Sequence, residues 1–303
     1  MRLFKINLLA FLCILGLGLQ AQNDKKVDMG RLTGSLEANA NFFMRDSAIG
    51  AFNIPQYENQ LFGAESWFQL NYSNNAWGLE AGLRFDLYNN SNLIDPNGSR
   101  SGQGIGRWYI KKKLKKLSIS GGYLYDQIGS GIIFRAFEAR PLAIDNSLYG
   151  VRMTYSLTDD WKIKAFAGKQ KHIDDFVNPE NTGPPIFDAV IRGINIEGFL
   201  SGGEESNWSI APGIGAVAKT LGGDDIDKVV NAVKFYPEAD LIQPQYNSYA
   251  TTLYNTLSAG KFSWYVEGAF KTKDVVNDIN VGRLTNNTGN VVYTSLSYAS
   301  KGI

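Results

Sequence analysis

The chain has 303 residues, with 30 Lys and Arg against 29 Asp and Glu, so its near-neutral charge excludes the basic signature of a nucleic-acid binder. Charged residues make up only 19% of the chain, whereas 32 Gly, 17 Phe, 15 Tyr and 6 Trp favour many strands joined by tight turns. Beyond the N-terminus no apolar run reaches the roughly 18 residues that a membrane helix needs.

Residues 1–21 read as a cleaved export signal: Arg2 and Lys5 precede an apolar run at 6–19, and Gln20-Ala21-Gln22 offers a small residue at the cut. The competing reading, a membrane anchor, is opposed by the short run and the polar residues that follow at once. The single cysteine, Cys13, lies inside this signal. The mature chain, 22–303, therefore has no thiol for a disulfide, a metal or a nucleophile.

Expected strands follow at 31–43, 61–72, 76–88, 104–114, 117–127, 149–157, 161–171, 189–200, 207–218, 245–257, 261–273 and 290–299. The third shows the pattern best. Trp77, Leu79, Ala81, Leu83, Phe85 and Leu87 alternate with Gly78, Glu80, Gly82, Arg84, Asp86 and Tyr88. Strict alternation over so many residues means a strand with one apolar and one polar face. Its length suits a tilted membrane crossing of about 9–11 residues better than a soluble strand of about five or six. Pro212 within the ninth strand predicts a bulge or kink.

Connections alternate in length. Short turns follow the even strands; long loops follow the odd ones, the last at 274–289. Short turns on one rim and long loops on the other describe an outer-membrane β-barrel with the short rim periplasmic and the long loops extracellular. Trp77, Trp161 and Trp208 stand at or beside the end of a short turn, with Phe262 and Trp264 after the last, as a periplasmic aromatic girdle requires. The fold class expected is all-β: a transmembrane up-and-down antiparallel barrel with at least twelve strands. Its terminal segment, 300–303, has the character of another short turn, so the sequence is expected to stop partway round the barrel.

Chemistry is sparse. The lone histidine, His172, stands at a loop entrance near Asp174 and Asp175 without a nucleophile elbow, and is expected to be solvated. Asp224, Asp225 and Asp227 could take calcium, but the spacing is not that of an EF-hand loop, and a solvated helix start is the plainer reading. Within the loop 219–244 the apolar spacing suggests a helix of two or three turns, with an extension of the two strands as the alternative. No catalytic residue, cofactor or metal is expected.

The inward positions are more informative. Glu37, Glu65, Glu80, Arg84, Asp86, Arg107, Lys111, Arg152, Lys162, Lys164, Glu197, Glu267 and Lys271 share the polar face by phase. Lys112 falls on the apolar face, where it can snorkel to the periplasmic headgroups. The loop 128–148 carries Arg135, Glu138, Arg140 and Asp145 among Ile132, Ile133, Phe134, Phe137, Leu142 and Ile144. A loop this apolar should fold inward and pack. Arg135, Glu138, Arg140, Asp145, Glu80, Arg84 and Arg152 form the candidate constellation of lumen and loop.

Gly129-Ser130-Gly131 ahead of Arg135, then Glu138, Arg140, Asp145-Asn146, Gly150-Val151-Arg152 and Gly168-Lys169-Gln170, resemble an uncharacterised family of outer-membrane barrels from Bacteroidota-type bacteria, a domain of unknown function. The resemblance implies fold and compartment, and no chemistry. The function expected is a pore or transport-related channel; the alternative is a non-conducting surface receptor, adhesin or envelope-assembly component. Expected partners are outer-membrane lipid, the barrel-insertion machinery and a small solute or surface ligand, and no nucleic acid.

Overall fold

The computed structural model describes residues 29–59, 61–93, 100–142, 144–171, 187–203, 207–233, 245–278 and 283–299. Twelve strands succeed one another in chain order: β1 (Arg31–Phe42), β2 (Phe62–Asn74), β3 (Leu79–Ser91), β4 (Arg100–Leu114), β5 (Leu117–Leu124), β6 (Leu148–Ser156), β7 (Trp161–Lys171), β8 (Phe187–Gly198), β9 (Trp208–Thr220), β10 (Asn247–Ala259), β11 (Phe262–Asp278) and β12 (Arg283–Tyr298). Each pairs antiparallel with the next, giving an up-and-down wall. The sheet is not closed: β1 and β12 are its two edges.

Alternation sets the two faces. On β2 and β3, Glu65, Trp67, Arg84 and Asp86 are buried inside while Phe62, Phe68 and Leu83 stay exposed outside. The same holds along β6, where Tyr149, Val151, Met153 and Tyr155 are exposed. Several inward rings lie flat over a glycine of the adjacent strand: Tyr109 covers Gly82, Phe166 covers Gly193 and Tyr254 covers Gly213, places where a Cβ would collide with the ring.

Three expectations are corrected. The loop at 274–289 is mostly strand: β11 runs 17 residues and β12 16, continuing past a register shift between Lys271 and Asp274. Hydrogen-bond ladders need no apolar face once they rise clear of the membrane level. Pro212 causes no bulge: it holds register with Asn255 of β10. On the other side the pairing of Glu197 with Gly213 stops and resumes at Leu200 with Ile210 in the same register, the gap expected of a residue without an N–H. The strand expected at 117–127 ends at Leu124, after which the chain turns inward. The open choice at 219–244 resolves to a helix, α1 (Gly223–Val233), anchored by buried Ile226.

The short rim is as expected. Trp77 lies in the turn before β3, Trp161 and Trp208 open β7 and β9, and Phe262 opens β11 against Tyr298. The Lys112 ammonium donates to the Trp77 carbonyl, so the cation leans toward the short-turn rim.

Candidate functional site: the inward loop

The interior is organised by residues 125–147. At Gly122 (φ 109°) a Cβ would meet the Trp108 carbonyl at 2.4 Å, so glycine is required where β5 parts from β4, two residues before the strand ends and the chain swings inside. The loop then folds as two small hairpins, Asp126–Gln127 with Arg135–Ala136 and Glu138–Ala139 with Ile144–Asp145. Asn146 stitches them: its Oδ1 accepts the Phe137 N–H at 2.6 Å and its amide donates to the Arg135 carbonyl at 3.2 Å.

Four anchors hold the loop to the wall. The tip, Gly129-Ser130-Gly131, meets β11. The Ser130 N–H donates to Glu267 at 2.9 Å, and the Thr252 and Tyr265 hydroxyls donate to the same carboxylate at 2.8 and 2.7 Å. Gly129 (φ 56°) sits so close that a Cβ would lie 2.7 Å from the Glu267 oxygen. Glu267 is 0% exposed. Second, Asp126 pairs with Arg152 at 3.1 Å and with Lys164. Third, Arg84 binds Asp86 through two parallel hydrogen bonds of 2.7 and 2.9 Å, donates to Glu138, and lies 3.7 Å from Asp145. Asp145 also accepts from Lys171 at 2.6 Å and from the Tyr125 hydroxyl at 3.0 Å. Fourth, Arg140 reaches Glu37 of β1 at 2.6 Å, with its guanidinium over the Trp67 ring.

Between these ionic anchors the loop buries an apolar cluster against the wall. Ile128, Phe134, Ala136 and Leu148 pack with Phe166, Ile191, Val217 and Tyr254, and the Phe134 and Phe166 rings stack at 4.5 Å. One loop thus touches β1, β3, β7, β9 and β11. In a flat sheet β1 and β11 would lie roughly 48 Å apart. Ser130 and Arg140 reach them from ten residues apart along a doubly folded chain, so the sheet is curled round the loop.

Buried charge here is compensated, as it must be. Burial opposes ionisation of Asp145, but the Lys171 ammonium, the Ser147 N–H and Arg84 outweigh it and hold the carboxyl below its usual value. Burial, reinforced by Asp145 and Glu138, pushes the Tyr125 phenol well above its ordinary range and keeps it a donor.

Of the seven residues expected to act together, the structure joins Arg84, Glu138, Arg140 and Asp145 in one network, with Arg152 beside it at Asp126. Glu80 and Arg135 stand apart. Glu80 pairs with Lys111 nearer the short-turn rim at 3.0 Å. Arg135 is exposed, its guanidinium 4.3 Å from the Phe137 ring centroid. His172, Asp174 and Asp175 lie outside the described residues.

Sequence reasoning missed Lys171 altogether, because phase places it with Lys169 on the outer face. A bulge between Lys169 and Lys171 opposite β8 turns it inside, where it is 7% exposed. Arg107 was placed inside, but nothing marked its isolation. Its guanidinium lies 4.4 and 5.0 Å from the Tyr125 and Tyr109 ring centroids, its Nε is buried without a hydrogen-bond partner, and it makes no ion pair among the described residues.

Open space remains on both sides of the loop. A polar cleft of about 760 Å³ on the short-turn side is lined by Asp126, Lys162, Lys164, Glu197, Tyr254 and Thr256. A smaller one of about 340 Å³, toward the long loops, lies against Ile132, Ile133, Lys219, Lys271 and Asp274.

The model of a family of unknown function, DUF6029, matches residues 1–303. The chain belongs to this family. No curated protein sequence matches the DUF6029 chain. Among solved structures it is similar to the outer membrane protein OpdK from Pseudomonas aeruginosa, at 11% identity and a TM-score of 0.40 over 88% of this chain and 76% of that one. It is also similar to Pseudomonas aeruginosa OccK9 (OpdG), at 12% identity and 0.37 over 81% and 67%. A mutant Rh. blastica porin follows at 13% identity and 0.27 over 87% and 100%. At such distances the role of the DUF6029 chain has to be argued from its own residues.

Proposed function

We propose that the chain forms an outer-membrane barrel wall and that its lumen, narrowed by the 125–147 loop, passes small polar solutes. One observation carries the reading: the burial pattern of a soluble protein is reversed. Leu36, Ile110, Val151, Ile194, Leu253, Phe270 and Leu296 are exposed on the outside of seven strands spread from β1 to β12, while Glu65, Arg84, Asp86 and Glu267 are buried inside. An apolar surface that encircles the sheet is far larger than a soluble monomer tolerates, and it matches the band a bilayer requires. The curled wall with a wet, charged interior supports a channel rather than an enzyme. Short turns then face the periplasm and long loops the exterior, with lipid and the insertion machinery as partners. A Bacteroidota-type origin belongs to the same reading.

The test is conductance. Protein extracted from outer membranes and placed in a planar bilayer should give discrete, ohmic steps. A protein that inserts yet stays silent would favour the second reading, a non-conducting receptor or assembly component. That reading has its own support in the four anchors and the fully buried Ile128, which describe a firmly seated plug.

Arg107 should set the sign of selectivity, because the neighbouring inward charges are neutralised in pairs and it is not. Arg107→Gln is expected to shift the reversal potential in a salt gradient toward cations, with little change in unfolding midpoint. An unchanged reversal potential would remove Arg107 from the ion path.

A further inference from the structure

The outer face is almost free of charge. Among its described side chains below the bulge in β11, three are charged, and all three are cations: Lys112, Lys169 and Arg192. Lys112 leans to the short-turn rim, as described above. The other two stand together toward the opposite rim. Lys169 pairs in register with Val190 and Arg192 with Ala167, so they are diagonal neighbours on β7 and β8, about 7–8 Å apart at the backbone. Both are exposed, and neither forms an ion pair among the described residues. Arg192 points away from the membrane centre: its guanidinium donates to the Thr220 hydroxyl at 3.1 Å, level with Lys169, and Thr220 in turn donates to Asn247 at 2.7 Å.

We infer that Lys169 and Arg192, with Thr220 and Asn247, form an outward-facing site for the phosphorylated headgroup of a lipid in the leaflet at the long-loop rim. This rests on the membrane reading above. A cation on a lipid-facing surface is expensive unless it reaches the headgroups. Two adjacent cations with no carboxylate paired to them among the described side chains repel each other unless an anion lies between them. A phosphate satisfies both at once, taking charge-assisted hydrogen bonds from the ammonium, the guanidinium and the Asn247 amide. The site also gives a use to Lys169, the centre of the Gly168-Lys169-Gln170 stretch that the lumen leaves unemployed. The bulge after Lys169 completes the arrangement by keeping Lys171 inside while Lys169 faces out.

The experiment uses the full chain in phosphatidylcholine vesicles doped with a bis-phosphorylated lipid A or with its dephosphorylated counterpart. Flotation is measured first, then the lipid retained per protein after mild detergent extraction, by native mass spectrometry. Wild-type protein should float and retain the phosphorylated lipid in preference to the dephosphorylated one. The double substitution Lys169→Gln/Arg192→Gln should lose that preference by about tenfold or more, as expected for removing charge-assisted bonds, whereas Lys112→Gln should keep it. Equal retention of the two lipids by wild-type protein, or an equal loss in the Lys112 variant, would overturn the site while leaving the membrane reading intact. Failure to float with either vesicle would overturn both.

Discussion

Arg84→Met is expected to cost about 3–5 kcal/mol, the usual result of removing one partner from a buried ionic network. The substitution leaves Asp86, Glu138 and Asp145 facing one another with Lys171 beside Asp145 and Arg140 beside Glu138 as the remaining cations, because Arg84 bonds or pairs with all three carboxylates. The unfolding midpoint in urea, or the temperature at which the band shifts on an unheated gel, should fall sharply. Arg84→Met combined with Glu138→Gln should recover part of the loss, since the second change removes one stranded charge. An Arg84→Met protein as stable as wild type would mean that the network is solvated and holds nothing.

Replacing Glu267 should have the larger effect on transport. Its carboxylate gathers the Ser130 N–H and the Thr252 and Tyr265 hydroxyls, so Glu267→Ala strands the Ser130 N–H and the Tyr265 hydroxyl, at about 1–3 kcal/mol apiece if each stays dry, while Thr252 keeps the Gly268 carbonyl at 3.1 Å. The cheaper response is for the tip at 129–131 to leave the wall and let water in. Conductance should rise, channel noise should increase, and protease should cut near Ile132 in the variant alone. If noise and cleavage match wild type, the tip is held by the apolar cluster and Glu267 is not its fastening.

The two changes probe opposite ends of one loop, and they also mark what the sequence makes readable. Period-two alternation brought out all twelve strands in order, because burial of one face per strand is written in the nearest neighbours. It also placed Arg84 and Glu267 inside. It could not say what they meet, since the partners Glu138 and Ser130 lie 54 and 137 residues away. Phase counting fails where the backbone adds a residue, and Lys171 is the case in point. Arg135 and Glu138 were expected in one constellation, yet they sit in different hairpins, so Glu138 reaches Arg84 while Arg135 stays outside the network. The polar composition of 274–289 hid strands that continue because backbone hydrogen bonds do not depend on side-chain polarity.

The inward loop also constrains the order of assembly. It leaves the wall between β5 and β6 but is fastened to β1 and β3 behind it and to β11 ahead. If strands join the wall in sequence, the Glu37 and Arg84 anchorages are waiting when the loop is made, whereas the Glu267 anchorage arrives more than a hundred residues later. A half-assembled intermediate would hold the loop by one end over an open trough. Its tip would stay reachable from the aqueous phase until β11 takes its place, which makes protection of Ser130 a clock for the late stage of insertion.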